Sequence, residues 1–150
     1  MTKAEQPDRY LSSRVVWALS AARKSGFAVP QPSFDKAIQH LQSAFANSTE
    51  DDHENRAIVL HGLAEAGACD FTHLNRLHRL RNELNASALV HLSLALTALD
   101  RKSMAAEVLG LAKPKLLPLP AAQAVEDILR AARNEVLERR WFFGMMGVGV

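Results

Sequence analysis

One cysteine, Cys69, stands in 150 residues, so no internal disulfide can form and nothing staples the fold covalently. That suits a reducing compartment, and equally a helical domain that needs no staple. No apolar run approaches the ~20 residues needed to span a bilayer, so no membrane span is expected. Met1-Thr2-Lys3-Ala4-Glu5-Gln6-Pro7-Asp8 lacks the apolar stretch of a secretory leader, and no signal peptide is expected in this chain. An excess of one charge is missing too. Residues 1–112 carry 12 Lys/Arg and 12 Asp/Glu, and residues 113–150 carry six and four. A neutral body cannot offset phosphates in number, which argues against a nucleic-acid partner. There is also no Gly-rich phosphate loop and no nucleophile elbow. No catalytic residue, cofactor or metal is assigned on these grounds.

What the sequence does contain is a pattern that recurs three times. It reads Val15-Val16-Trp17-Ala18-Leu19-Ser20-Ala21-Ala22, then Val59-Leu60-His61-Gly62-Leu63-Ala64-Glu65-Ala66, then Ala88-Leu89-Val90-His91-Leu92-Ser93-Leu94-Ala95. Each apolar helix is followed by a polar break and a more charged helix. Such a hairpin hides its apolar face only against a neighbour. With 48% hydrophobic and 23% charged residues, the chain is ordinary for a globular protein. Its length suffices to bury roughly 70% of the unfolded surface.

Periodicity predicts six helices, A to F. Helix A runs from about Arg9 to Ser25, with Leu11, Val15, Ala18, Leu19 and Ala22 as its inward stripe, and Gly26 ends it. Trp17 reads as a core anchor. Ser33 caps helix B, striped by Phe34, Ile38, Leu41 and Phe45. Asp51 and Glu54 fit a capping box for helix C, which reaches Ala66 and stops at Gly67. Asp70 caps helix D, about Phe71 to Leu84, with Leu74, Leu77 and Leu84 inward. Asn85 caps helix E, about Ala86 to Leu99. Helix F follows a tight turn at Asp100 and carries Met104, Ala105, Val108 and Leu109. Helices C and E are apolar almost all round, whereas B, D and F are one-sided. This predicts an inner layer of A, C and E covered by B, D and F. Small residues at Ala18, Gly62 and Ser93 would let inner helices approach closely.

The pattern sets the domain limits at 9–112 for the repeat, 113–120 for a linker with three prolines, and 121–150 for a last helix and tail. That helix spans about Pro120 to Arg140, striped by Val125, Ile128, Leu129, Ala132 and Val136. Glu126/Arg130 and Glu135/Arg139 sit at supporting i,i+4 spacing. The tail Trp141-Phe142-Phe143-Gly144-Met145-Met146-Gly147-Val148-Gly149-Val150 is apolar, and is expected to tuck against the body or pair with a partner.

Three stretches carry a resemblance: residues 14–26 with their apolar-Trp-Ala-Leu opening, Asp52 to Ala64, and Ala88 to Leu96. From about Ser12 to Ala112 the chain resembles the α/α-toroid repeat of the thioester-containing domain of alpha-2-macroglobulin and complement-like proteins, a fold shared with squalene cyclases and protein prenyltransferases. The resemblance implies a helical module from a family that traps proteases in extracytoplasmic space. The thioester looks like Gly-Cys-Gly-Glu-Gln, whereas Cys69 lies in Ala68-Cys69-Asp70-Phe71, so no thioester is carried over. A toroid of this kind has about six hairpins and this chain has three. Its open edges are therefore expected to meet a protein partner or a second copy.

Several constellations have a chemical reading beside a structural one. Asp51-Asp52-His53-Glu54-Asn55 resembles the Asp-rich magnesium site of terpene synthases, but Asn55 replaces the expected acid, and capping explains the acids. Prenyltransferase toroids hold zinc with Asp, Cys and His, which directs attention to His61, His73, His78 and His91 with Cys69 and Asp70. His73 and His78 are five apart and diverge; His61 and His91 hold matching repeat positions and could face one groove. Helix D gathers His73, Arg76, His78, Arg79 and Arg81 in a basic strip without interleaved aromatics, which reads as a solvated face. The candidate interaction residues are Arg76, Arg79, Arg81, Trp141, Phe142 and Phe143. The expected fold is all-α, a partial α/α toroid of three hairpins in two layers plus a C-terminal helix. The expected function is a non-catalytic binding or packing module of the macroglobulin type. The alternative is a free-standing helical-repeat scaffold, although Val15 to Val59 spans 44 residues and Val59 to Ala88 spans 29, unlike the fixed 34 of tetratricopeptide repeats. A degenerate prenyltransferase or cyclase comes third, for want of an acidic cluster.

Overall fold

A computed structural model describes residues 9–116, 123 and 126–134. Among these the chain is helical, without strands. The helices are α1 (Arg9–Lys24), α2 (Gln31–Ala46), α3 (His53–Glu65), α4 (Phe71–Arg79), α5 (Ala86–Ala98) and α6 (Lys102–Leu116), followed by helical residues 126–134. Two compact units divide at Leu116.

Local chemistry sets most helix ends. Asp52, Asp70 and Asn85 each place a side-chain oxygen on a first-turn N–H, at Asn55, Thr72 and Ala88. The Thr72 N–H bond holds the Asp70 carboxyl below its usual range. The Asp51–Glu54 box is not formed, because Asp52 takes the cap position. Ser33 is not a cap either. α2 starts at Gln31, three residues before the start a Ser33 cap implies, with Pro32 in its first turn, where a missing N–H costs nothing. α1, α3 and α5 stop in the same way. Phe27 N–H reaches Ala22 O at 3.0 Å, Ala68 N–H reaches Leu63 O at 2.8 Å, and Arg101 N–H reaches Leu96 O at 2.8 Å. The turning residues Gly26, Gly67 and Asp100 have φ of 88, 72 and 57°. This left-handed closure satisfies the last carbonyls of a helix.

Two ends differ from expectation. α4 stops at Arg79, and residues 80–83 continue as i→i+3 turns that carry Leu84 into the core. α6 runs on to Leu116, into the proline-rich stretch expected as a linker. Pro114 lies in its last turn, where a single backbone bond is lost. Buried Ala112 and a 2.7 Å bond from Lys115 Nζ to Leu84 O hold that turn.

α3 is the centre of the first unit, packed against α1, α2, α4 and α5. Its residues Ala57 to Ala64 are all buried. α5 is less enclosed, leaving Leu94 partly in solvent. The expected stripes of α2 and α4 face the core through Phe34, Leu41, Leu74 and Leu77, with Ile38 and Phe45 packed beside them. In α6 the buried line is Ala105, Val108 and Ala112, and Leu109 points out.

The stripe expected on α1 is corrected more deeply. Its buried line is Ser13, Val16 and Ser20, while Leu11 and Val15 are 60% and 46% exposed. Ala18 is exposed as well. The reason is a close crossing at Gly62. Ser13 Oγ donates to the Ile58 carbonyl at 2.6 Å, so the α3 backbone lies against α1, and only small side chains fit between. Trp17 is displaced to the rim, 40% exposed, rather than anchoring the core.

In the second unit the described residues 126–134 are exposed, including the Ile128 and Leu129 expected inward. The ion pair formed there is Asp127–Arg130 at 3.9 Å, one residue from the expected Glu126–Arg130. Val125, Val136 and the Glu135/Arg139 pair lie outside the described residues.

Two glycine substitutions are expected to act with opposite sign. A Cβ on Gly62 would stand 2.5 Å from Ser13 Oγ and 3.0 Å from Leu41 Cδ1. Gly62→Ala should therefore destabilise the fold by about 1–3 kcal/mol, outweighing the roughly 1 kcal/mol gained in helix propensity. A Cβ on Gly110 in α6 meets nothing within 4 Å, so Gly110→Ala should stabilise by up to ~1 kcal/mol. Urea titration of the two variants checks both signs.

Candidate functional site

The acidic start of α3 and the basic strip of α4, read separately in the sequence, meet around one cavity of about 310 Å³. Glu50, Asp51, His53, Arg56, His73 and Arg76 line it, above Leu77 and Leu80. Arg76 lies 3.4 Å from Glu50, both well exposed. Phe45 is covered on two sides, by the His73 ring at 4.7 Å and the Arg56 guanidinium at 4.3 Å. Thr49 holds the Asp51 carboxyl below its usual range. The buried His53 Nδ1 has no hydrogen-bond partner. The lining carries both charge signs, so the cavity has no strong preference for an anion or a cation.

The three arginines of the strip separate. Arg76 turns to this cavity and Arg79 is exposed. Arg81 turns to α6, where its Nε meets Glu107 Oε1 at 2.8 Å while His78 Nε2 meets Glu107 Oε2 at 3.1 Å. The His78 hydrogen bond, followed by Arg81, holds the Glu107 carboxyl below its ordinary range. His73 and His78 thus diverge, as their spacing predicts. Trp141, Phe142 and Phe143 lie outside the described residues. Among the described residues no three His, Cys, Asp or Glu side chains are grouped to hold a metal ion.

The matching positions of His61 and His91 bring them into contact. Their Nδ1 atoms are 3.1 Å apart, and His61 is only 3% exposed. Two neutral imidazoles bond this way only if one Nδ1 carries the proton and the other accepts. His61 Nε2 lies 3.6 Å from Glu65 Oε1 and has no nearer partner. The arrangement that best serves these atoms puts N–H on His91 Nδ1 and on His61 Nε2, so that His91 donates to His61 and His61 faces the carboxylate. Lys24 Nζ closes the line at 3.4 Å from Glu65 Oε2. α1 lays two aromatic rings on the pair: Tyr10 edge-on to His91 at 6.1 Å, and Trp17 tilted on His61 at 5.5 Å. Arg14 bonds the Tyr10 hydroxyl at 2.7 Å.

Burial is the first cause that lowers the affinity of both imidazoles for a proton. For His61 the neighbouring His91 adds to it and Glu65 opposes it; for His91 the Glu54 carboxylate opposes and Arg14 adds. Of the α1 members of the cluster, Tyr10 and Arg14 carry no signal in the sequence. Glu65, four residues after His61, is the one companion that helical spacing could have supplied.

Cys69 is half-buried beside Asp70, and burial pushes its thiol up to about 11. Since the thiolate is the reacting species, labelling by a disulfide reagent at pH 8 should run roughly 100-fold slower in the native protein than in urea. Equal rates in the two states would remove the claim that this thiol is shielded. No family model, curated protein or solved structure matches the chain.

Proposed function

We propose that this chain is a non-catalytic helical module that packs against another protein through the open flank of α1. The observation that carries the reading is the outward placement of Leu11 and Val15, one turn apart, on a helix with one fully buried apolar side chain, Val16. With Ala37 of α2 they line a groove of about 380 Å³, edged by Lys36 and His40. A contiguous apolar groove with a polar rim suits a protein contact. α1 has no acid in its first turn and ends on Arg23 and Lys24, which favours an amphipathic partner helix with acidic flanks.

The finer reading is a partial α/α toroid, with α1, α3 and α5 as the inner row and α2, α4 and α6 outside. It relates the chain to the thioester domain of macroglobulin-like proteins, with protease inhibition as the process of the parent. An incomplete ring leaves an uncovered flank at its first helix, and this agrees with the exposure of α1. Three carboxylates with catalytic potential are taken up structurally: Asp52 and Asp70 cap helices, and Glu107 pairs with Arg81 and His78.

A synthetic amphipathic helix with leucines at i,i+4 and glutamate flanks should bind, and Val15→Glu should weaken it at least ~tenfold. Its lysine-flanked counterpart should bind more weakly. Equal binding of both peptides, or indifference to Val15→Glu, overturns the reading. Concentration-dependent dimerisation lost in Val15→Glu would replace the acidic partner with a second copy.

A further inference from the structure

We propose that the His61–His91 pair is a proton-operated latch that holds α1 on α3 and α5, and that acidification releases α1 while the rest of the first unit stays folded. The inference concerns how α1 is attached and stands whichever surface a partner uses.

The latch follows from where the aromatic side chains of α1 rest. Among the described residues of this helix, Val16 is the only fully buried hydrophobic side chain, accompanied by Ser13 and Ser20. α3, by contrast, buries eight consecutive residues. Besides Val16, α1 is attached by the Ser13–Ile58 hydrogen bond, by Arg23 over the Phe34 ring at 4.5 Å, by Lys24 on Glu65, and by two aromatic contacts, Tyr10 to His91 and Trp17 to His61. Both rings therefore sit directly on the titratable pair.

Among the described residues, the charged groups acting on the pair come from three helices. α1 contributes Arg14 and, through Glu65, Lys24; α3 contributes Glu54 and Glu65; α5 contributes His91 itself. Asn85, the cap of α5, binds Glu54 Oε2 at 3.0 Å and so engages the carboxylate that acts on His91.

The first proton enters at His91 Nε2 and leaves the Nδ1–Nδ1 bond in place. The second must go to His61 Nδ1, the acceptor of that bond. Two N–H groups on two cations then face each other where 3.1 Å had separated donor from acceptor, and the rings must part. Tyr10 and Trp17 lose these ring contacts as they do. Both imidazoles bind protons less readily in the folded chain than in an unfolded one, so their contribution is complete above about pH 6.5. It is lost as pH falls below that value toward the folded-state values.

Trp17 and Trp141 are the two tryptophans of the chain. In a Trp141→Phe background, Trp17 emission should change in a sigmoid between pH 7.5 and 4.5, with its midpoint below about 6.5. Native-state hydrogen exchange, corrected for intrinsic rate, should show α1 amides opening at least ~tenfold more at pH 5 than at pH 7.5, with α3 amides still protected. His91→Gln, which bonds without charging, should flatten the emission change and keep α1 protected. Glu65→Gln serves if that variant does not fold. Removing a carboxylate that favours charged His61 should move the midpoint to lower pH. The latch is refuted by an emission and exchange profile flat over this range, or by an unshifted transition in both variants. Simultaneous loss of protection in α1 and α3 would refute it as well.

Discussion

The first unit depends on enclosing α3, and α3 can be enclosed only because Gly62 admits α1 to its backbone. With a side chain at that position, the Ser13 hydroxyl could not reach the Ile58 carbonyl and the two helices would stand further apart. Burial of eight consecutive residues on α3 needs neighbours on every side. α1 supplies one of those sides mainly with serines and a valine. The tight crossing is thus secured by a hydrogen bond and close backbone approach more than by apolar area.

That economy shapes the surface as well as the core. A helix that turns Ser13, Val16 and Ser20 inward must turn Leu11 and Val15 outward, so the apolar face usually hidden by an amphipathic helix becomes the open flank. The same crossing brings Tyr10 and Trp17 onto the imidazoles of α3 and α5. The flank and the histidine cluster are therefore two consequences of one packing choice, and a change at Gly62 or Ser13 would disturb both.

Much of the fold was legible because the signals were local. Asp70, Asn85, Gly26 and Gly67 act within a turn of their own position, so the backbone bonds they satisfy are implied by residue type and spacing. The cap at Asp51 was misplaced because its neighbour Asp52 competes for the same role, and the cap at Ser33 because α2 begins at Gln31 with Pro32 in its first turn and uses no side-chain cap. α4 was expected to run to Leu84 because its apolar spacing continues, yet i→i+3 turns carry Leu84 inward equally well. The candidate site was legible only in pieces. The repeat suggested that His61 and His91 share a groove, and Asp51 and Arg76 were each noted, but no local rule joins the start of α3 to the middle of α4.

By itself, the sequence determined that this chain is helical, where most helices begin and end, and which of them are apolar enough to be enclosed. Periodicity and capping act over a few residues, and those residues are adjacent in the text of the chain. Only the tertiary structure decided which face of α1 is buried, that Trp17 rests on a histidine at the rim, and that two histidines 30 residues apart share a bond. Those outcomes turn on the distance between helix axes at one glycine. That distance is set by the shapes of both partners together, and neither partner's sequence carries it alone.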